Sequence, residues 1–167
     1  MKLIRSHSRG FTMVEMLVAL VVLSIGMLGI AGLFAVSLRS SGSAIQRMQA
    51  VNLASDMADR IRANRRGGGS YEATTTATGT DNSCVGASAS ICSPAQMAAN
   101  DVYVWKRAVA AAFKGGTATG SIGYVAGSLP TRPSTYTITV SWREQAQARG
   151  ESDSAQSVVM QLQMPTN

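Results

Sequence analysis

The side chain whose position is least expected on physical grounds is the carboxylate of Glu15. It is the only charged residue from Phe11 to Leu38, a stretch of 28 residues that is otherwise almost entirely apolar. A carboxylate near the end of a segment of membrane-crossing length costs roughly 3 kcal/mol on insertion scales. A membrane anchor does not need a carboxylate at this position. Because Glu15 is present in spite of its insertion cost, the sequence indicates that it has a function.

The residues around this stretch limit what kind of segment it is. Three basic residues lie within positions 1–9, and the apolar stretch begins directly after Gly10. A secretory signal has an apolar core of about 7–15 residues, so this stretch is too long for one. A simple membrane anchor fits, since 28 helical residues reach about 42 Å across about 30 Å of hydrocarbon. A simple anchor, however, leaves both Glu15 and the Gly-Phe boundary unexplained.

Residues 9–15, Arg-Gly-Phe-Thr-Met-Val-Glu, resemble the class III signal of type IV pilins and pseudopilins. The resemblance implies that residues 1–10 are a leader, which prepilin peptidase removes between Gly10 and Phe11 before N-methylation of Phe11. Glu15 then becomes the fifth residue of the mature chain. We expect its carboxylate to pair with the N-terminal amine of Phe11 on an adjacent subunit, because pairing offsets the desolvation of both charges.

This processing removes most of the means for catalysis or metal binding. The only histidine, His7, lies in the leader, so the mature chain has no imidazole to activate a nucleophile. Cys84 and Cys92 are the only thiols, and two cysteines without histidine cannot close a tetrahedral zinc site. Cleavage at the cytoplasmic face would place both in the periplasm, where disulfides persist. We therefore predict a Cys84–Cys92 disulfide, no catalytic residue, no metal, no cofactor and no enzymatic activity.

The charge balance changes with the same cut. The whole chain has a formal charge of +6, but loss of the three basic residues of the leader leaves 12 Lys and Arg against 9 Asp and Glu. A nearly neutral chain gives little support to binding of nucleic acid. The remaining cluster, Arg60, Arg62, Arg65 and Arg66, is interpreted as a solvated helix end that opposes the negative end of the helix dipole.

The helical pattern does not stop at the membrane-length stretch. Between residues 44 and 66, apolar side chains recur at three- and four-residue spacing, which predicts an amphipathic helix. They are Ala50, Leu53, Ala54, Met57, Ala58 and Ile61. We predict one helix over about 12–65, with residues 11–38 spanning the membrane and residues 39–66 forming its amphipathic half. The spacing also predicts surface ion pairs of Asp56 with Arg60 and of Asp59 with Arg62.

Residues 67–167 are predicted to form a periplasmic globular head. Residues 67–92 are rich in small and polar residues and are predicted to be a loop. Ser93, Pro94 and Gln96 form a strong helix start, and the apolar spacing predicts a helix over 94–113 that buries Trp105. Alternation predicts strands over 122–126, 135–142, where Trp142 lies on the apolar side, and 158–164, with a polar loop over 145–154. The fold class is α+β and type IV pilin-like: the long N-terminal helix packed on a small antiparallel sheet with one additional helix.

Three further segments narrow the resemblance. LASDMADRIRANR, SPAQMAANDVYVWKRAVAAAF and YTITVSW are similar to minor pilins of the PilV kind, also termed type IV pilus modification proteins. The resemblance implies a low-copy subunit that joins other minor pilins, primes polymerisation of the major pilin and sits at the fibre tip. Its partners would be prepilin peptidase, the other pilins, the inner membrane and the assembly platform in that membrane. A minor pseudopilin of a type II secretion system and a DNA-capturing receptor pilin are the alternatives.

Overall fold

The structure, a computed structural model, describes residues 10–87, 89–113, 117–128, 132–144 and 152–165, apart from the side chain of Arg39. The first nine residues of the leader, with His7, and most of the predicted 145–154 loop lie outside the described residues. The chain divides into two compact units, Met1–Gly42 and Ser43–Asn167.

The first unit contains the beginning of helix α1, Met13–Ala63, which confirms the predicted long helix. Every side chain described between residues 10 and 42 is exposed. Two hydroxyls of this unit donate to carbonyls one turn earlier, Ser24 to Leu20 at 2.7 Å and Ser41 to Ser37 at 3.0 Å. Because the helix satisfies its own polar groups in this way, it is suited to an environment without water.

The second unit buries one face of the remainder of α1. Five residues of the predicted apolar stripe are fully buried, whereas Leu53 is only partly buried. The buried residues are Ala50, Ala54, Met57, Ala58 and Ile61. Small side chains dominate this stripe, so other elements can approach the helix backbone closely.

The prediction of a loop beginning at residue 67 is wrong for its first residues. A short 3₁₀ segment, Arg65–Tyr71, follows α1, and Gly68 within it has a φ of 48°, which favours glycine. Gly67 lies against the ring of Tyr71, where a Cβ would come within 2.6 Å of Cε2. Tyr71 is fully buried. The glycines therefore turn the chain so that an aromatic residue enters the core, a tertiary effect that local composition does not reveal.

Helix α2, Pro94–Ala112, confirms the predicted second helix and its start. The Ser93 hydroxyl accepts from the backbone nitrogen of Gln96 at 3.3 Å, and the Gln96 side chain accepts from the backbone nitrogen of Ser93 at 2.9 Å. This reciprocal capping box satisfies two backbone donors that a helix start otherwise leaves free. The buried face of α2 carries Trp105 and Val109.

Three antiparallel strands complete the second unit, as predicted. They are β1, Thr119–Val125, β2, Ser134–Glu144, and β3, Ser154–Met164, in the order β1-β2-β3. Ala73 forms a single antiparallel bridge to Ile122 on the outer side of β1. Among the described residues, no strand lies beside the outer edge of β3.

The apolar side of this sheet faces α1 and α2 and closes the core. Ile122 from β1, Ile138 and Val140 from β2 and Leu162 from β3 are buried there. The rings of Phe113 and Trp142 stack with centroids 5.3 Å apart. The second unit is thus an α+β core made by two helices on one face of a sheet.

Candidate functional sites at the N-terminal junction and in the head

The predicted cleavage point lies just outside the long helix. Gly10 and Phe11 are both exposed, and α1 begins only at Met13. A Cβ added at Gly10 would meet nothing within 4 Å in the chain itself. A requirement for glycine at this position therefore does not come from the fold of this chain, and a peptidase subsite would have to impose it.

Thr12 caps the start of α1, a role that was not predicted from the sequence. Its hydroxyl oxygen accepts a hydrogen bond from the backbone nitrogen of Glu15 at 3.3 Å. Thr12 and Glu15 have the spacing of a capping box, Thr-x-x-Glu, so the signal was present in the sequence. The carboxylate also lies in the first turn, where the positive end of the helix dipole favours it. Glu15 therefore has a local structural role besides any role in assembly.

The Glu15 carboxylate has no cationic partner within the part of the chain that the structure describes. The ion pairs of that part involve only Arg60 and Arg62, both of which lie at the other end of α1. The large apolar side chains that follow Glu15 are all more than half exposed up to Leu38, including Leu17, Leu28 and Phe34. By length and composition, α1 is the one described helix that could cross a membrane.

In the head, Cys84 and Cys92 form a disulfide, with Cα atoms 5.7 Å apart. Cys84 is buried, and Ser83 beside it has a φ of 52°, which only a few non-glycine residues adopt. The backbone nitrogen of Ser90 donates to the carbonyl of Ser83 at 2.9 Å, within the same loop. The bridge and this hydrogen bond together close the loop into a compact unit.

Asn82 and Asn100 attach this loop to α2. The side chain of the buried Asn100 accepts from the backbone nitrogens of Asn82 and Cys84, at 3.0 and 3.4 Å. The side chain of Asn82 donates to the carbonyl of Gln96 at 2.9 Å. No local pattern indicates these contacts, because both asparagines resemble ordinary loop or surface residues until the loop is folded back on the helix.

A partly buried cluster of charged and polar groups joins α1, the 3₁₀ segment and α2. Arg60 pairs with Asp56 at 2.9 Å, as predicted, but also with the buried Asp101 at 3.1 Å. The Tyr71 hydroxyl donates to the other oxygen of Asp101 at 2.8 Å. Burial, reinforced by this hydrogen bond to Asp101, raises the pKa of Tyr71 far above its usual value. Each buried polar group in this cluster has a hydrogen-bond partner. The cluster therefore stabilises the packing of the three elements against one another.

Three of the four arginines in the basic cluster at the end of α1 make contacts within the protein itself. Arg62 pairs with Asp59 at 2.6 Å, which confirms the second predicted ion pair. Arg65 donates to the carbonyl of Pro165 at 3.4 Å. With acids beside Arg60 and Arg62, this end of α1 is not a uniformly positive surface.

Both tryptophans belong to the core, as predicted. Trp105 is fully buried and donates its indole N–H to the carbonyl of Leu53 at 2.8 Å, which ties α2 to α1. Gly120 lies directly against its ring, where a Cβ would be 2.4 Å from Cη2. Trp142 is buried on the apolar side of β2. Neither ring is available to stack on a ligand.

Comparison with known protein families agrees with this architecture. Residues 5–31 match the prokaryotic N-terminal methylation motif, and residues 32–103 match the family described as type IV pilin Tt1218. The chain is thus similar to a type IV pilin domain behind an N-terminal methylation motif, and neither match alone covers half of the chain. The two matches support the pilin superfamily and a role as a pilin subunit. No curated protein and no solved structure matches the chain.

The matched ranges meet inside α1, between Ala31 and Gly32. The first contains the Gly10-Phe11 junction and Glu15, and the second contains the amphipathic half of α1, the disulfide loop and the start of α2. The three strands of the sheet lie outside both matched ranges. The evidence that the chain has the sheet of a pilin fold therefore comes from the structure and not from the family matches. That fold, a long apolar N-terminal helix with a three-stranded antiparallel sheet and a further helix, is the one expected of a type IV pilin.

Proposed function

We propose that this chain is a minor pilin that helps prime type IV pilus assembly after prepilin peptidase cleaves it between Gly10 and Phe11. The observation that carries the proposal is the exposed apolar part of α1 behind a methylation motif. An apolar surface of this size is stable in water only if lipid or other protein covers it. In a pilin subunit, lipid covers this surface while the subunit is in the membrane, and other subunits cover it in the fibre.

The proposed location follows from the same segment. Residues 11–38 would anchor the chain in the inner membrane, with the head in the periplasm until the subunit enters the pilus. The Cys84–Cys92 bridge supports this orientation, because disulfides persist in the periplasm and are rare in the cytoplasm. In the pilus, neighbouring apolar helices would replace lipid around α1.

Glu15 is proposed to set the position of the subunit among its neighbours. Its carboxylate has no cationic partner among the described residues, so a partner has to come from outside that part of the chain. The amine of Phe11 on an adjacent subunit would supply the opposite charge at the same membrane depth. Such a pair would fix the axial register of two helices.

A minor rather than a major role is supported by the position of the cysteines. The major pilins that the N-terminal signal resembles typically have a cysteine pair around a C-terminal loop, whereas here the bridge is central and β3 has no cysteine. The proposed partners are the other minor pilins, the major pilin, prepilin peptidase and the inner-membrane assembly platform. The tip of the fibre is the position that an initiating complex would occupy.

The test is deletion of the chain and complementation with full-length variants, followed by measurement of sheared pili and of co-purification with other minor pilins. Loss of pili that is restored by the natural chain, with co-purification, is the expected result. Gly10→Val, which should remain unprocessed, is the negative control. Normal piliation with a defect in protein secretion would instead identify a pseudopilin of a type II system.

A further inference from the structure

A cleft in the head takes no part in the proposed assembly function. It lies between residues 74–78, the face of α2 around Lys106 and the start of β1, and has a volume of about 290 Å³. This is near the lower end of the range for ligand pockets, about 300–1,000 Å³, and suits one or two small rings. All of its walls belong to the second unit of the chain.

The walls of the cleft are held firmly in place. Lys106 donates through its Nζ to the carbonyls of Thr74 and Thr75, so it ties the loop to α2. Gly79 has a φ of 71°, and a Cβ there would be 2.4 Å from the backbone nitrogen of Tyr103. The backbone nitrogen of Thr80 donates to the carbonyl of Ala99 at 3.1 Å. A cleft with walls fixed in this way can bind a ligand without first paying for the ordering of a loop.

The cleft is positively charged, and no carboxylate balances it. Lys106 and Arg107 line it, and neither forms an ion pair among the described residues. The sequence contains no Asp or Glu between Val102 and Arg143, and none between Ala73 and Thr80. Burial lowers the pKa of Lys106, since its ammonium is partly removed from water without a counter-ion. An anion in the cleft would stabilise both cations.

The remaining lining is neutral and mostly apolar, with four threonines in it: Thr75, Thr76, Thr78 and Thr119. The Thr78 hydroxyl donates to the carbonyl of Gly79 at 3.4 Å, and the Thr76 hydroxyl lies 3.2 Å from that of Thr74. The hydroxyls of Thr75 and Thr119 remain, and each can donate one hydrogen bond and accept others. Lys106 has three donors, of which two are used on loop carbonyls. One nitrogen of Arg107 donates to the Tyr103 hydroxyl at 3.3 Å, and its other donors remain. The cleft therefore offers the remaining donors of Lys106 and Arg107 beside two threonine hydroxyls that match the hydroxyls of a sugar.

We propose that this cleft binds a saccharide that carries an acidic group, with Arg107 and Lys106 holding the acid and the threonine hydroxyls holding the ring. This site is independent of the proposed assembly function. A single-stranded nucleic acid fits less well, because it needs a row of cations and free aromatic faces for its bases. The ring of Tyr103 is instead covered by the Arg107 guanidinium, 5.6 Å from its centroid.

The experiment is a calorimetric titration of the full-length protein in detergent with trigalacturonate and with a neutral galactose trisaccharide. We expect the acidic trisaccharide to bind about tenfold more tightly or better, the order expected for one charge-assisted hydrogen bond. Arg107→Gln should remove about tenfold of that affinity by the same reasoning. Arg47→Gln, which removes an exposed arginine of α1 outside the cleft, should leave it unchanged.

Further titrations separate this proposal from its competitors. Thr119→Val should weaken the acidic trisaccharide while leaving the charge of the cleft intact. Titration with galacturonate monomer shows whether the natural ligand is a free sugar or a polymer. If it is a free sugar, the monomer should bind as tightly as the trisaccharide. If it is a polymer, the trisaccharide should bind more tightly than the monomer. Equal binding of the acidic and neutral trisaccharides would overturn the proposal, as would equal effects of Arg107→Gln and Arg47→Gln. The proposal would also be overturned if inorganic phosphate or an oligothymidylate bound more tightly than trigalacturonate and if Arg107→Gln weakened that binding.

Discussion

The hydroxyl of Thr12 accepts a hydrogen bond from the backbone nitrogen of Glu15, so the residue proposed to direct assembly is also part of a helix cap. A Thr cap contributes about 0.5–2 kcal/mol to a helix, and the carboxylate adds a favourable interaction with the helix dipole. The cap uses the backbone nitrogen of Glu15, so variants of the Glu15 side chain keep this hydrogen bond and lose the carboxylate, whereas a variant of Thr12 loses the cap and keeps the carboxylate. Comparing the two kinds of variant separates the effect of capping from that of charge.

We predict that Glu15→Ala leaves leader cleavage largely intact but strongly reduces incorporation into pili. Glu15→Gln keeps the side-chain size and its hydrogen-bonding oxygen but has no charge, and it should be as defective as Glu15→Ala if charge pairing is what is needed. Thr12→Val removes the cap and retains the carboxylate, so it should assemble better than either. Processing is followed by mass spectrometry and incorporation by sheared pilus yield. Normal incorporation of Glu15→Gln would contradict the pairing with the Phe11 amine.

Processing itself gives a second prediction. The mature chain should begin at an N-methylated Phe11, and Gly10→Val should remain uncut because a β-branched side chain cannot enter a subsite built for glycine. Within this chain, a side chain at Gly10 meets no other atom within 4 Å, so the variant should fold normally. Mass spectrometry of the membrane-extracted protein is the measurement. A natural chain that retains Met1 would show that the junction is not processed.

The third prediction concerns the Cys84–Cys92 bridge. A bridge that closes a nine-residue loop stabilises the folded state by roughly 2–3 kcal/mol in the chain-entropy model. Reduction of the truncated chain 35–167 should lower its free energy of unfolding by that amount, without the cavity that replacing the buried Cys84 would create. Helix α2 should persist, since Ser93 and Gln96 cap it independently. Alkylation of both cysteines in unreduced, unfolded protein would show that the bridge does not form in the cell.

The parts of the fold that could be predicted from the sequence are those with local signals. The capping residues and apolar spacing specified α2, and the alternation of Tyr136 to Trp142 specified β2. The long helix followed from continuous helical periodicity. In each case, the pattern of side chains within one element was sufficient, because burial of that element requires one apolar face.

The parts that could not be predicted depend on contacts between distant residues. Tyr71 enters the core only because the three glycines before it bend the chain, and Asp101 is buried only because Arg60 and Tyr71 reach it from other elements. The cleft beside Lys106 similarly arises where a loop without periodicity folds back on α2. Thr12 is different, since its capping role has a local signature that could have been recognised.

Two glycines of β1 give a matched pair for the fourth prediction. A Cβ at Gly120 would lie 2.4 Å from the Trp105 ring, whereas at Gly123 the nearest atom is 3.9 Å away. Trp105 is fully buried and hydrogen-bonded to Leu53, so it cannot move aside easily. Gly120→Ala should therefore destabilise the head by about 1–3 kcal/mol, while Gly123→Ala should be neutral or slightly stabilising. Denaturation midpoints of the two variants of 35–167 decide this, and equal midpoints would show that the core is looser than the structure indicates.

The last prediction concerns alkaline pH and Tyr71. Its pKa is raised above the ordinary value of 10.0, first by burial and then by the hydrogen bond to Asp101. A raised pKa in the folded state means that its contribution to stability is complete below pH 10 and is lost as the pH rises above that value. Tyr136 contributes in the same direction, since burial raises its pKa as well.

Tyr71→Phe should lower stability near neutral pH by about 1–3 kcal/mol, because it leaves one buried oxygen of Asp101 without its donor. Above pH 10, however, the variant should lose stability less steeply than the natural chain, with the remaining slope due in part to Tyr136. Urea denaturation of 35–167 between pH 7 and pH 11 measures both effects. Parallel curves for the two proteins would mean that Tyr71 ionises as easily in the folded state as in the unfolded state, and that the Tyr71–Asp101 hydrogen bond does not hold its proton.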